Sequence, residues 1–373
     1  MQNKRNTSSL IFKQFIKEDS SPFDKLFDIW KEIIVHTSGD VDESFEWMET
    51  LDQEYQLTTP EYTLDDFRED LKKKGYIKDD KDNPQKGGMK ITAKSEQMLR
   101  QSALEQIFGN LNKRGKGNHK TKHLGQSLDK TGEYRDYRFG DNLGNIALTE
   151  SIRNAQINNG IGEFQLTEQD LVVEETHHKS SMSTVLMIDI SHSMILYGED
   201  RITPAKKVAM ALTQLIQTRY PKDSIDVIVF GNDAWPIKIK DLPYLQVGPY
   251  HTNTVAGLHL ALDILRRKRN TNKQIFMITD GKPSCVREKD GFYYKNSFGL
   301  DPYITEQCYT MAAQARKIKI PITTFMIARD SYLMEFVENF TEANQGKAFY
   351  TGLQGLGEMI FEDYETNRKK RLR

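Results

Sequence analysis

One stretch restricts what this chain can become more than any other: Thr184-Val185-Leu186-Met187-Ile188-Asp189-Ile190-Ser191-His192-Ser193-Met194. A short uncharged run rich in branched side chains, ended abruptly by polar residues, reads as a strand buried on both faces. Side chains alternate along a strand, so Asp189, Ser191 and Ser193 share one side if the extended geometry persists. Three hard oxygen donors then stand at the carboxyl end of a buried strand, where open α/β sheets bind ligands. The following segment fits a β-α-β unit. Thr203-Pro204 reads as a helix start, with hydroxyl cap and proline in the first turn. Ala205, Val208, Ala209, Leu212, Leu215 and Ile216 then recur at helical spacing.

Two more donors come from separate loops. Tyr250-His251-Thr252-Asn253-Thr254 precedes a helix carrying Leu258, Ala261, Leu262 and Leu265, and Ile275-Phe276-Met277-Ile278-Thr279 is a second buried strand that runs into Asp280-Gly281. The pattern Asp-x-Ser-x-Ser, then a threonine, then a strand-end aspartate resembles the metal-ion-dependent adhesion site of von Willebrand factor A (vWA) domains. The resemblance implies that Asp189, Ser191, Ser193, Thr252 and Asp280 surround one divalent cation. Thr254 is the rival threonine. Thr252 is preferred because Thr252-Asn253 ahead of an alanine-containing helix looks like the family's Thr-Asn or Thr-Asp step. Magnesium is the expected ion, with manganese or calcium as substitutes. Magnesium favours octahedral oxygen coordination at about 2.0–2.1 Å and keeps several waters. In the family, one position is open to a carboxylate supplied by a partner.

The resemblance implies a Rossmann-like, doubly wound, mostly parallel α/β sheet over residues 181–373. Ahead of it, residues 1–110 read as a mainly helical region, and 111–180 as a basic linker and wrapping segment. Within the first region, Phe23, Leu26, Phe27 and Trp30 share a helical face. Thr63 caps a helix bearing Leu64, Phe67 and Leu71. Two short strands around Ile77 and Met89-Lys90-Ile91 then lead to a helix with Leu99, Ala103, Leu104, Ile107 and Phe108. Helix, strand, turn, strand, helix is the shape of a winged helix, which docks proteins as well as DNA. The acidic Asp65, Asp66, Glu69 and Asp70 oppose phosphate binding by the middle helix.

The chain has 373 residues, a formal net charge of -1 and 28% charged residues, a balance unlike that of a protein coated in nucleic acid or acidic lipid. Two cysteines, Cys285 and Cys308, make no disulfide framework and fit a reduced compartment. The first residues lack the features of a signal peptide, and no run approaches the roughly 18 apolar residues of a membrane span. A cytoplasmic protein without membrane attachment is expected.

Further phrases resemble cytosolic bacterial vWA proteins: Gly132-Glu133-Tyr134-Arg135 through Gly140-Asp141, Ser193-Met194-Ile195-Leu196 and Thr324-Phe325-Met326. That group is often paired with MoxR-type AAA+ ATPases. The resemblance therefore implies a non-enzymatic adaptor that grips an Asp or Glu of the ATPase or of its client. His192 departs from the group's pattern, because related sites often carry a small residue there. The alternative is nucleic-acid binding through the winged-helix-like region and the basic run 113–123, with affinity falling steeply as salt rises. A metal-dependent phosphohydrolase is a third reading. It lacks a second aspartate two residues after Asp189, a nucleophile elbow and a phosphate loop.

Overall fold

A computed structural model describes residues 21–80, 88–108, 129–138, 141, 144, 146–160, 165–177, 181–198, 200–296, 298–327, 331–350 and 356–369. The basic run 113–123 and the turn around Asn83-Pro84 lie outside these. The described residues fall into two compact units. One holds those before residue 117 and those from 182 onward except 270–272; the other holds 117–181 with 270–272.

In the first unit, the described elements begin with α1 (Pro22–His36), α2 (Val41–Tyr55) and α3 (Leu64–Lys73). Each start is encoded locally. Ser21, Asp40 and Thr63 accept backbone N–H groups of the first turn, and Thr63 forms a reciprocal capping box with Asp66. β1 (Ile77–Asp79) and β2 (Met89–Ile91) pair antiparallel and lead into α4 (Ala93–Phe108). The expected helix, strand, strand, helix order is therefore present. Trp30, Phe45, Met48 and Phe67 are fully buried at its centre, and the Trp30 indole donates to Ser44 Oγ at 3.1 Å.

In the second unit, β3 (Asp129–Asp136) and β4 (Val172–His177) form a separate antiparallel pair, with α5 (Leu148–Asn159) between them in sequence. The apolar residues of 164–173 predict strands leading into the central sheet. Among the described residues, β4 pairs with β3 and bridges Ile146 at Val173, outside the six-stranded sheet.

The main sheet belongs to the first unit and runs β12-β11-β8-β5-β6-β7. Its central strand, β5 (Met182–Asp189), is buried at all eight positions. α6 (Ile202–Arg219) follows, then β6 (Ser224–Phe230) and the antiparallel edge strand β7 (Ala234–Ile237). α7 (Thr254–Arg267) leads into β8 (Asn272–Thr279). A hairpin of β9 (Cys285–Arg287) and β10 (Tyr293–Lys295) comes next, ahead of α8 (Pro302–Lys317) and β11 (Ile322–Met326). α9 (Ser331–Asn344), β12 (Lys347–Tyr350) and α10 (Leu356–Lys369) are the last described elements. The β5–β6, β8–β11 and β11–β12 pairs are parallel, giving the doubly wound mostly parallel sheet that the alternating pattern implies. Separate apolar clusters cover its two faces. Leu186, Ile188, Phe276 and Ile278 point to one; Val185, Met187, Ile275 and Met277 point to the other.

α6 joins the sheet to the helical region through a buried charge. Lys206 has no exposed surface, and its ammonium donates to Val35 O at 2.7 Å, Ser38 Oγ at 3.0 Å and Leu245 O at 3.2 Å. It thus satisfies a carbonyl in the last turn of α1, where helix carbonyls lack partners. Beside it, His36 Nδ1 lies 3.1 Å from Asp200 Oδ2, and Lys207 pairs with Glu32 at 2.5 Å. α7 packs close to the sheet because Gly257 has no side chain. A Cβ there would lie 2.6 Å from the Met187 methyl group. That approach places the loop ahead of α7 beside the end of β5.

Candidate metal centre

β5 and β8 are neighbours in the sheet, and each ends at the same edge: β5 in Asp189, β8 immediately before Asp280. Both carboxylates are buried, at 0% and 3% exposure. Asp189 Oδ1 accepts the Ser191 N–H at 2.9 Å, and Oδ2 accepts the Thr279 hydroxyl at 2.7 Å. Thr279 in turn accepts the Gly281 N–H at 3.1 Å. Gly281 has φ +94°, a conformation that favours glycine, so the chain turns sharply just past the second carboxylate.

Extended geometry does not persist through Ser193. β5 stops at Asp189, and the chain coils into a 3-10 turn over His192–Gly198. That turn still brings the hydroxyls together, with Ser191 Oγ and Ser193 Oγ 3.0 Å apart. Ser191 also hydrogen-bonds Asp189, and Ser193 hydrogen-bonds Asp280. Four of the five residues therefore form one connected set of oxygens. The His192 side chain between the serines is exposed and does not crowd them.

Thr252 reaches the same edge by its backbone. Its N–H donates to Ser284 Oγ at 3.1 Å, and its carbonyl accepts from the N–H groups of Ser284 and Cys285 at 2.9 and 3.2 Å. Two residues earlier, Tyr250 O accepts the His192 N–H at 3.0 Å. Thr254 instead lies in the first turn of α7, behind the Asn253 cap, which accepts the Ala256 N–H at 3.0 Å. Both threonines are buried, but only Thr252 sits in the loop clamped between His192 and Ser284.

The electrostatics are those of a buried anionic pocket. Burial foremost, and then the charge of Asp280, push the Asp189 carboxyl up to about 7. Burial also raises Asp280, against the opposing effects of the Ser193 hydrogen bond, the Lys282 N–H and the Arg201 and Lys282 charges. Among the described ion pairs, Arg201 alone meets either carboxylate, with Nη1 3.9 Å from Asp280 Oδ2, a distance too long for a hydrogen bond. It is held there because its backbone N–H donates to Met194 O at 3.0 Å, just ahead of α6. That helix begins at Ile202, two residues before Pro204, the first helical position the sequence suggests. Asp200, not Thr203, supplies the cap, accepting the Thr203 N–H at 3.0 Å.

The sequence reading missed two residues of this edge. Thr279 carried a signal, a hydroxyl next to a strand-end aspartate on a strand neighbouring β5. Arg201 carried none, because its position depends on how the turn after Ser193 folds back. Among the described residues, no three His, Cys, Asp or Glu side chains cluster as metal ligands. A cation here would take two carboxylates, neutral hydroxyls and water. That donor set suits a hard ion such as magnesium and would balance the paired carboxylate charge.

A doubly wound sheet whose strand ends carry this arrangement defines a class: residues 182–365 are a von Willebrand factor A domain. They match the family model described as the vWA domain of Rv0959-like proteins, and residues 129–176 match the third domain of the same proteins. The chain is 27% identical over 320 residues to uncharacterized protein Rv0959 of Mycobacterium tuberculosis H37Rv, covering 83% of this chain and 46% of that one. The same figures apply to uncharacterized protein Mb0984 of Mycobacterium bovis. The chain thus spans less than half the length of these curated relatives. Among solved structures, the SpRpn10 VWA domain aligns at 14% identity with a TM-score of 0.37, covering 49% of this chain and 95% of that domain. The vWF domain of the type V pili tip protein Mfa5 from Porphyromonas gingivalis aligns at 12% identity with a TM-score of 0.41, covering 50% and 95%. Among the described residues, no helix is long and apolar enough to cross a membrane.

Proposed function

We propose that this chain is a magnesium-dependent protein-interaction module. In this reading Asp189, Ser191, Ser193, Thr252 and Asp280 hold one divalent cation, whose remaining position takes an Asp or Glu side chain of a partner. The observation that carries it is the pair of buried carboxylates at the ends of adjacent strands. They are linked by two serine hydroxyls 3.0 Å apart, and Ser193 joins that pair to Asp280. Buried like charges cost several kcal/mol unless a counter-charge meets them, and a divalent ion would balance both at once. The ion would supply electrostatic attraction for an incoming carboxylate. The chain's own residues would orient it: Thr279 fixes Asp189, Ser193 fixes Asp280, and the Ser284 clamp fixes the Thr252 loop.

The role is that of an adaptor without catalytic chemistry of its own. The sequence resemblance to cytosolic vWA proteins makes a MoxR-type AAA+ ATPase, or its client, the first partner to test. Capture of such an ATPase should require magnesium and be lost on chelation; capture unchanged by chelator would refute the metal bridge. The two threonines give a sharper test by calorimetric titration of magnesium into the full chain. Thr252→Ala is expected to weaken binding by about tenfold or more, the range for disturbing a metal site's supporting groups. Thr254→Ala should leave affinity within about twofold of the parent. The reverse order would move the ligand to Thr254.

A further inference from the structure

In the metal reading the oxygens come from the end of β5 with its following turn, from the residue after β8, and from the Thr252 loop. The third of these is fixed by a side chain that the metal reading leaves unused, that of Tyr250, two positions before Thr252. The Tyr250 carbonyl accepts the N–H of His192, the residue between the two serines, at 3.0 Å. Its ring lies against two glycines. A Cβ on Gly248 would stand 2.1 Å from Tyr250 Cε2, and one on Gly231 would stand 2.7 Å from Tyr250 Cβ. Real side chains do not approach so closely. Neither glycine is among those with positive φ, so both are required for space rather than for a left-handed backbone.

The two glycines are themselves tied to the site. Gly231 directly follows β6, and its carbonyl accepts the Asn253 N–H at 2.8 Å. Gly248 donates its N–H to the carbonyl of Ile190, one residue past Asp189, at 3.1 Å. The Ile190 N–H in turn donates to Phe230 O at 3.0 Å. The Tyr250 ring therefore rests on backbone anchored at the exits of β5 and β6. Asn232 adds a clasp: its side chain accepts the His251 N–H at 2.8 Å, and its carbonyl accepts from the Asn253 amide at 2.8 Å. Trp235, on the edge strand β7, meets the same ring edge to face, with centroids 6.0 Å apart.

Hydrogen bonds set the distance of the Thr252 loop from its neighbours, and the ring sets its rotation. An aromatic side chain turns about two bonds only. The glycine contacts run along the whole of this one, from Cβ to Cζ, and so restrain both. With the ring held, the Tyr250 carbonyl keeps its aim at His192, and the chain leaves toward Thr252 in one direction. Metal affinity depends on groups that orient the ligands as well as on the ligands themselves.

We infer that Tyr250 is the positioning residue of the metal centre: its ring, seated on Gly231 and Gly248, sets the Thr252 loop against the serine turn so that hydroxyls of both reach one ion. The inference rests on the metal-bridge reading and adds the group that pre-forms its site. A ring that only filled space would contribute to folding and leave the magnesium affinity of the folded protein unchanged.

The test is a calorimetric magnesium titration of the full chain and its variants, with urea curves showing that each variant is folded where it is titrated. Tyr250→Ala should bind magnesium about tenfold more weakly, the lower range for disturbing groups that orient metal ligands. Tyr250→Phe keeps every ring contact and should stay within about twofold of the parent. Gly248→Ala pushes the ring aside and should reproduce the loss of about tenfold. The double variant, Gly248→Ala with Tyr250→Ala, should bind about as weakly as either single one, because no ring is left to displace. Losses that multiply to about a hundredfold would mean that ring and glycine act independently, and would overturn the proposal. Parent-like affinity in either single variant overturns it too, whatever the urea midpoint does, and leaves the metal reading standing. Where alanine at 250 prevents folding, Tyr250→Leu keeps apolar bulk without a planar ring; the same loss is expected, and parent-like affinity again overturns the proposal. Failure of the parent to bind magnesium overturns both readings.

Discussion

Asp189→Ala is expected to remove divalent-cation binding by the full chain, with affinity falling at least about a hundredfold, beyond the usual effect of an outer-shell change. Partner capture should disappear with it. The side chain sits on the central strand, is fully buried, and organises the site by accepting from Ser191 N–H and Thr279 Oγ1. Its loss removes one of the two carboxylates and frees Ser191 and Thr279 from their common acceptor. The metal-free protein should respond in the opposite sense. The carboxyl is raised in the fold to about 7, so folding stability attached to its protonation is present at acid pH. That stability is lost as pH rises from the ordinary carboxylate range through about 7. Without metal, Asp189→Asn should therefore be more stable than the parent at pH 8, by on the order of 1–3 kcal/mol. The difference should shrink toward pH 4. With magnesium present, the parent should recover stability above pH 7, because the ion displaces the proton. Urea denaturation at the two pH values, with and without magnesium, reads all of this. A metal-free parent that gains stability between pH 5 and 8 would contradict it.

Lys206→Ala should destabilise the protein by about 3 kcal/mol, since a buried charge-assisted donor leaves and its acceptors remain. Val35 O and Leu245 O would each lose a charged donor, keeping the Ser38 N–H and the Ser38 hydroxyl respectively, and Ser38 would lose its ammonium contact. Burial lowers this ammonium to about 8, so its charge is itself disfavoured. Lys206→Met, which keeps the stem and removes the charge, should cost less than alanine does. Urea midpoints of the full chain measure both. A loss below about 1 kcal/mol for alanine would mean that α1 and α6 hold together without this contact.

The two residues mark the limits of what the sequence reveals. The strand ends were legible because β5 and β8 are apolar up to their last positions. A carboxylate directly after such a run enters the fold at a buried sheet edge, where its charge calls for a ligand or a counter-ion. The capping of α3 by Thr63 and Asp66 was equally plain, since its signal is local. Lys206 was not legible. A lysine among the apolar residues of α6 reads as a solvent-side interruption, and only the approach of α1 makes it a buried donor. The same limit explains Arg201. The pattern anticipated Asp189, Ser191 and Ser193 on one side of a continuing strand. The structure brings the two serine hydroxyls together by a 3-10 turn, and that turn carries Arg201 toward Asp280. Side-chain alternation thus pointed to a convergence that a different backbone conformation produces.

The hairpin between Asp280 and α8 illustrates a further gap. Its aromatics were visible as composition, but whether they packed over the sheet or faced outward depended on the register of β9 with β10. That register pairs Tyr293 with Arg287 and Lys295 with Cys285, setting Lys295 at the base beside the Thr252 loop.

Anomalous diffraction from crystals of the full chain grown with manganese, at a wavelength near the metal edge, addresses the five-residue centre most directly. One strong peak is expected, bounded by Asp189, Ser191, Ser193, Thr252 and Asp280 and absent from Asp189→Ala crystals. No peak there, with the Arg201 guanidinium lying between the two carboxylates instead, would contradict the metal bridge.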